Sequence, residues 1–296
     1  MELKQSPGGL LRAALREEKP LQVAGVINAY AALMAEQTGF RALYLSGAGV
    51  ANASFGLPDL GMTSLAEVLE DLRRITGATG LPLLVDADTG WGDGLMIGRS
   101  IREICRAGAA GVHIEDQVAA KRCGHRAGKA LVSAEEMADR IKAAVDARAD
   151  PEFVIMARTD AVAVEGLDAA LERACRYRDA GADMLFPEAL TELSHYRRFA
   201  DAAGLPVLAN MTEFGVTPLL GREELVVAGV SLILYPLSAF RAMSAAALRV
   251  YRAIREQGTQ RSVVDLMQSR AELYDVLGYR DYEAKLDQLF GKEETP

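Results

Sequence analysis

The chain has 296 residues, half of them apolar and 25% charged, with 27 Gly and 10 Pro; that length suits one large core or two ordinary domains and excludes a disordered chain. Against 41 acidic residues stand 33 Lys and Arg, a formal charge of -8, so no basic surplus exists for nucleic-acid binding. Cys105, Cys123 and Cys175 are widely spaced and form no CxxC pair, which rules out a disulfide framework or zinc ribbon and fits a reducing, cytoplasmic setting. Met1 to Pro20 lacks the apolar stretch of a signal peptide, and no apolar run approaches the ~20 residues of a membrane span, so no membrane partner is expected.

Short β-rich apolar runs alternate with segments of helical period almost from end to end. Strands are expected at Gln22 to Ile27, Ala42 to Leu45, Leu83 to Val85, Gly111 to Ile114, Val154 to Ala157, Met184 to Phe186, Val207 to Ala209 and Leu232 to Leu234. Ser64 with Glu67, and Ser133 with Glu136, have capping-box spacing. The turns Ala107 to Ala109, Ala180 to Ala182 and Ala228 to Gly229 place Gly where a helix ends and a strand begins. Eight βα units predict an α/β fold, a (β/α)8 TIM barrel spanning about 20–257. A helical extension of about 258–296 would complete a single domain over 1–296. A doubly wound sheet fits less well, because Asn52 stands where the third glycine after Gly47-Ala48-Gly49 should be.

In such a barrel the chemistry sits at the C-terminal strand ends. These carry Asn28, Ser46, Asp86 with Asp88, Glu115 with Asp116, Arg158 with Asp160, Glu188, Asn210 with Thr212, and Tyr235. One polar strand end is ordinary; acids, an Arg and an Asn converging on one mouth are costly without a ligand. Asp86 and Asp88 suit Mg²⁺, which takes one or two protein carboxylates and otherwise water or substrate; on spacing alone they equally suit a turn before Gly90. Glu115 and Glu188 favour the metal, since crowded acids need a cation. None of the seven lysines falls in an expected strand, so a Schiff-base aldolase is hard to build and carbon-bond chemistry would need a Lewis acid.

The segment from Asp116 to Val132 is long for a βα loop and carries Cys123 among Lys121, Arg122, His125 and Arg126. With Gly124 and Gly128 as pivots it reads as a mobile lid whose basic residues activate a thiol and attract an anion. Cys105 and Cys175 read as core residues, and His113 and His195 as structural.

KRCGH (Lys121 to His125), SGAG (Ser46 to Gly49), GLPDLG (Gly56 to Gly61), VDADTGWG (Val85 to Gly92), HIEDQ (His113 to Gln117), ARTDA (Ala157 to Ala161) and FPEA (Phe186 to Ala189) together resemble the isocitrate lyase and phosphoenolpyruvate mutase superfamily. The likeness extends through EGLDAALERA (Glu165 to Ala174) and YPLSAFRAM (Tyr235 to Met243), and the Cys of KRCGH marks the lyase branch. It implies Mg²⁺-dependent retro-Claisen cleavage of 2-methylisocitrate, a tricarboxylate, to pyruvate and succinate, in the methylcitrate cycle of propionate catabolism. Related substrates in the superfamily are isocitrate, a dimethylmalate and oxaloacetate, and a catalytically silent barrel is the further alternative.

By the same resemblance Asp86 and Asp88 hold Mg²⁺, with Asp59 and Glu115 reaching it through water. Ser46, Gly47, Ala48, Cys123, Gly124, Arg158, Glu188, Asn210, Met211, Thr212, Arg241 and Arg270 contact substrate. Cys123 protonates the succinate carbanion, Tyr44 takes the substrate hydroxyl proton, and His125 joins them as a catalytic group. The surplus helices imply a homotetramer with helices swapped between subunits. The chain departs from the family pattern at Ala48, at Trp91 and in a loop one residue shorter beyond Gly92, all at the mouth.

Overall fold

The computed structural model describes residues 5–291. It divides into two compact units, one up to Ser238 and one from Ala239.

The first unit holds eight parallel strands: β1 (Leu21–Gly25), β2 (Ala42–Leu45), β3 (Leu83–Asp86), β4 (Gly111–Glu115), β5 (Val154–Thr159), β6 (Met184–Pro187), β7 (Leu208–Asn210) and β8 (Leu232–Tyr235). They pair in the order β6-β5-β4-β3-β2-β1-β8-β7, and the parallel bridge Leu185 to Val207 joins the two outer strands. The expected (β/α)8 barrel is therefore present, with all eight strands where the sequence pattern puts them.

Side chains alternate across each strand, so two layers form from one sequence pattern. Leu21, Val23, Tyr44, Leu84, Val154, Met156, Met184, Phe186, Leu208 and Leu232 fill the barrel interior, and Leu11 and Ala14 of the helix Pro7–Glu17 pack into that cluster. Leu43, Leu45, Val85, Val112, Ile114, Ile155 and Leu185 point outward into the layer between barrel and helices. Each outward Leu or Ile is fully buried, which stabilises the fold by about 1.5–3 kcal/mol relative to exposure.

The helices start and stop where their caps dictate. Ser64 and Glu67 form the reciprocal capping box of Leu65–Thr76, and Ser133 caps Ala134–Ala147 by accepting from the Glu136 N–H. Gly108, Gly181 and Gly229 close their helices with positive φ, as the repeated turns require.

The second unit carries the helix from Ser238 to Gln257, a 3₁₀ turn at Arg261–Leu266, and helices Arg270–Leu277 and Tyr279–Phe290. Tyr274 and Tyr279 stack with ring centroids 4.2 Å apart, while Tyr251, Tyr282, Leu289 and Phe290 are exposed. Among the described residues no helix is long and apolar enough to cross a membrane.

Candidate active site

Strand parity decides what enters the barrel mouth. Inward positions run Tyr44 on β2, Asp86 on β3, His113 and Glu115 on β4, Arg158 on β5, and Asn210 on β7, with Asp88 and Glu188 two residues beyond inward strand positions. The β4–β5 ladder pairs Glu115 directly with Arg158. All of these side chains are buried, so five carboxylic acids share a low-dielectric space if Asp160 is included.

Arg158 organises one half. Its guanidinium lies 3.4 Å from Glu115 Oε2 and 3.3 Å from Glu188 Oε2, and its Nε donates to Asp160 Oδ2 at 3.1 Å. Burial works against its charge, but Asp160, Glu115 and Glu188 hold the guanidinium firmly protonated. Burial likewise opposes ionisation of Glu188, yet Arg158 and His125 keep its carboxyl well below the usual range. Asn210 Nδ2 donates to Glu188 at 3.3 Å.

Lys121 organises the other half. Its Nζ sits 2.8 Å from Asp59 Oδ1 and 2.5 Å from Asp88 Oδ1. Burial pushes the Asp88 carboxyl up to about 6, with Asp86 adding to the rise. Asp86 moves the opposite way: despite burial, His113 and Lys121 hold its carboxyl below the usual range. The Gly47 N–H donates to Asp86 Oδ2 at 3.0 Å. Glu115 is the least satisfied acid, because both its oxygens are buried and accept no hydrogen bond; burial raises it well above its ordinary value.

Tyr44 and His113 lie beneath the acids. The Tyr44 hydroxyl is 2.8 Å from His113 Nε2 and 3.3 Å from Asp86 Oδ2. Burial, reinforced by Asp86, raises the phenol well above its ordinary value, so a free phenolate is unfavourable there. Burial also lowers the imidazole of His113 to about 4, which keeps it neutral near pH 7. His113, expected from sequence to be structural, lies in the site, and its in-phase spacing with Glu115 on β4 is the signal for that placement.

The segment expected as a lid lies docked over the mouth. Gln117 and Leu131 form an antiparallel bridge, and the Gln117 side chain both donates to the Arg122 carbonyl and accepts from the Arg122 N–H, each at 2.9 Å. Gly124 presses so closely that a Cβ there would stand 2.4 Å from Glu188 Cγ and 2.5 Å from Arg158 Nη2. His125 Nε2 lies 3.1 Å from Glu188 Oε1 without the alignment of a hydrogen bond. Its Nδ1 accepts from the Val216 N–H at 3.2 Å. Both ring nitrogens are thus engaged in fastening the lid to the ends of β6 and β7, so His125 acts here as a clasp.

Cys123, half-buried, lines a cavity of about 380 Å³ with Asp59, Lys121, Arg122 and Arg126. Lys121 and His125 are committed to carboxylates, which differs from the expectation that they surround the thiol. The other two cysteines are also only half-buried: Cys105 packs against the layer between barrel and helices, and the Cys175 thiol donates to the Ala202 carbonyl at 3.5 Å.

Ser46 caps the turn that begins at Gly47 by accepting from the Gly49 N–H at 3.2 Å, with Ala48 between them. Thr212 is buried near the end of β7. Met211 departs from the expected set: its side chain packs in the barrel–helix layer and its N–H donates to the Leu234 carbonyl. Parity explains this, since Asn210 faces inward and its neighbour must face out. Arg241 and Arg270 belong to the second unit, on the helix Ser238–Gln257 and at the first turn of Arg270–Leu277.

Among the described residues no three His, Cys, Asp or Glu side chains converge into an all-protein metal cage. The donors present are hard carboxylate oxygens, with those of Glu115 lacking hydrogen bonds, which is the set a water-retaining divalent cation uses. The arrangement can therefore receive a polyanion beside a cation, move a proton through Tyr44 and His113, and present a thiol from above.

Comparison with known proteins agrees with this geometry. The family model described as phosphoenolpyruvate phosphomutase matches residues 11–255. The chain is 64% identical to 2-methylisocitrate lyase of Shewanella oneidensis over 98% of its own length and 100% of that protein. It is 61% identical to 2-methylisocitrate lyase of Escherichia coli, covering 98% of each. Among solved structures it resembles a 2,3-dimethylmalate lyase of the same superfamily, with a TM-score of 0.88, 35% identity and coverage of 97% and 96%. It also resembles an oxaloacetate acetylhydrolase, with a TM-score of 0.89, 32% identity and coverage of 98% of each chain.

Proposed function

This chain belongs to the phosphoenolpyruvate phosphomutase family, and from that premise we propose that it is a carbon–carbon lyase that cleaves 2-methylisocitrate to pyruvate and succinate. The observation that carries the reading is the docking of the Cys123 segment, through Gly124, onto Arg158 and Glu188 above a crowded set of acids. The acids fit Mg²⁺, which Asp86 and Asp88 would hold, with Asp59 and Glu115 acting on it through water. When bound, Mg²⁺ supplies a Lewis acid for the substrate's hydroxyl and carboxylate oxygens.

The chain's own groups supply the rest. Arg158, held charged, receives a substrate carboxylate, with Asn210, Thr212 and the turn Ser46-Gly47-Ala48 shaping the space around it. Tyr44 takes the substrate hydroxyl proton while its own passes to His113 Nε2, which avoids a free phenolate. Asp86 Oδ1, 3.5 Å from that nitrogen, steadies the imidazolium that results. As the hydroxyl becomes the keto group of pyruvate, the C2–C3 bond breaks and its electron pair stays on C3. The Cys123 thiol then protonates C3 to give succinate, with the lid excluding water.

Exposed apolar side chains on the second unit's helices support a homotetramer in which those helices pack on a neighbouring subunit.

The test is a comparison of kcat/KM for 2-methylisocitrate, isocitrate, 2,3-dimethylmalate and oxaloacetate. The proposal expects 2-methylisocitrate to lead by at least about tenfold, the discrimination that one methyl-sized difference in a fitted pocket provides. A lead by any other substrate overturns it.

A further inference from the structure

The lid's return arm carries a lysine that the proposed reaction does not use. The Lys129 side chain is 2% exposed and its partner Asp160 is fully buried, with Nζ 2.9 Å from Asp160 Oδ1. The same ammonium donates to the carbonyl of Gly124, the residue next to Cys123. Asp160 is also the carboxylate that holds Arg158, through Nε to Oδ2 at 3.1 Å and Nη2 to Oδ1 at 3.4 Å. One buried ammonium therefore joins the lid tip to the group that orients the substrate-binding guanidinium.

Asp160 is itself fixed from behind. Its N–H donates to Asp116 Oδ1 at 2.9 Å, and Asp116 Oδ2 accepts from the Thr159 hydroxyl at 2.7 Å and the Tyr177 hydroxyl at 2.9 Å. The receiving side is rigid, so the lid is the part able to leave. An ammonium leaves water at little cost only when several partners replace its hydration together. Gly124 travels with Lys129 on the lid, so lifting the lid parts the ammonium from Asp160 and opens that ion pair to solvent.

We infer that Lys129 is a latch: a positioning residue that holds the lid closed over the mouth and ties the placement of Cys123 to the orientation of Arg158. The kinetic consequence rests on the proposed lyase reading, whereas the structural consequence does not.

The experiment compares Lys129→Met, which keeps the stem and removes the charge, with Lys129→Gln as a second neutral variant should the first fold poorly. Peptide-resolved iodoacetamide labelling follows Cys123, with Cys105 and Cys175 as internal references. The latch predicts that Cys123 labels about ten- to a hundredfold faster in both variants, the range for loss of one hydrogen bond to a charged group. The reference cysteines should keep their wild-type rates. It further predicts that kcat for pyruvate release falls more than KM rises, because the thiol is misplaced after substrate has bound. Unchanged Cys123 labelling in a folded variant overturns the latch, and so does equal acceleration at all three cysteines, which would mean general loosening. If wild type releases no pyruvate while the selective labelling change persists, the function fails and the latch stands.

Discussion

The two ends of the barrel treat charge in opposite ways. At the N-terminal end, Asp183 is matched on every side: Arg12 Nη2 and Arg148 Nη1 each donate at 2.8 Å, and the Ile155 N–H donates at 2.9 Å. At the C-terminal end, Glu115 accepts no hydrogen bond, Asp88 is pushed up toward neutrality, and one guanidinium is shared among three acids. The first arrangement is complete within the chain and stabilises the fold; the second is incomplete, and in the proposed reading a cation and a polyanion complete it. Function here is stored as unsatisfied electrostatics at one end of a scaffold whose other end is closed.

Substitutions that should act on one end alone break or sharpen this contrast. The largest effect is expected at Cys123→Ser, with kcat lower by about a thousandfold, within the range for a lost general acid. Its circular dichroism and Mg²⁺ affinity should match wild type. Near-normal turnover would remove Cys123 from the acid role. Asp183→Asn removes the carboxylate shared by two guanidiniums, leaving Arg12 on Glu152 and Arg148 on the Phe153 carbonyl, and should lower the unfolding free energy by about 2 kcal/mol while kcat stays within twofold, as read by urea denaturation and steady-state kinetics.

Glu115→Gln should do the reverse. Arg158 keeps Asp160 and Glu188, so replacing an acid whose buried oxygens accept no hydrogen bond by its neutral isostere ought to raise the metal-free unfolding free energy by about 1 kcal/mol, yet turnover should fall at least tenfold. A lower melting temperature for that variant would mean Glu115 is satisfied after all, and the contrast between the two ends would collapse. The smallest effect is expected at Trp91→Phe. The Trp91 indole donates to the Thr63 carbonyl at 3.0 Å, clipping the turn beyond Asp88 to the loop that carries Asp59. Loss of that bond is worth about 1 kcal/mol, visible by calorimetry as roughly fivefold weaker Mg²⁺ binding.

The sequence pattern was most informative where it was periodic. β2 was placed to the residue, because Ala42 to Leu45 is an unbroken apolar run; β5 runs two residues past its expected end, because Arg158 and Thr159 look polar but continue the ladder. The inward set of Asp86, Glu115 and Arg158 follows from the same alternation, and parity would also have admitted His113 and turned Met211 away. Contacts between segments distant along the chain were not legible. Lys129 meets Asp160 across 31 positions, and Lys121 reads as a basic neighbour of the Cys123 thiol until the fold brings Asp59 and Asp88 to it. No local spacing records such pairings, because they depend on how a loop returns over the barrel.

The central claim is that the incomplete charges of the mouth are completed by Mg²⁺ and substrate for carbon–carbon cleavage. Pyruvate release from 2-methylisocitrate, followed by a coupled assay with Mg²⁺ and again with excess chelator, tests it most directly. The account predicts steady release with Mg²⁺ that the chelator abolishes and added Mg²⁺ restores; release undiminished by the chelator, or none under either condition, would contradict it.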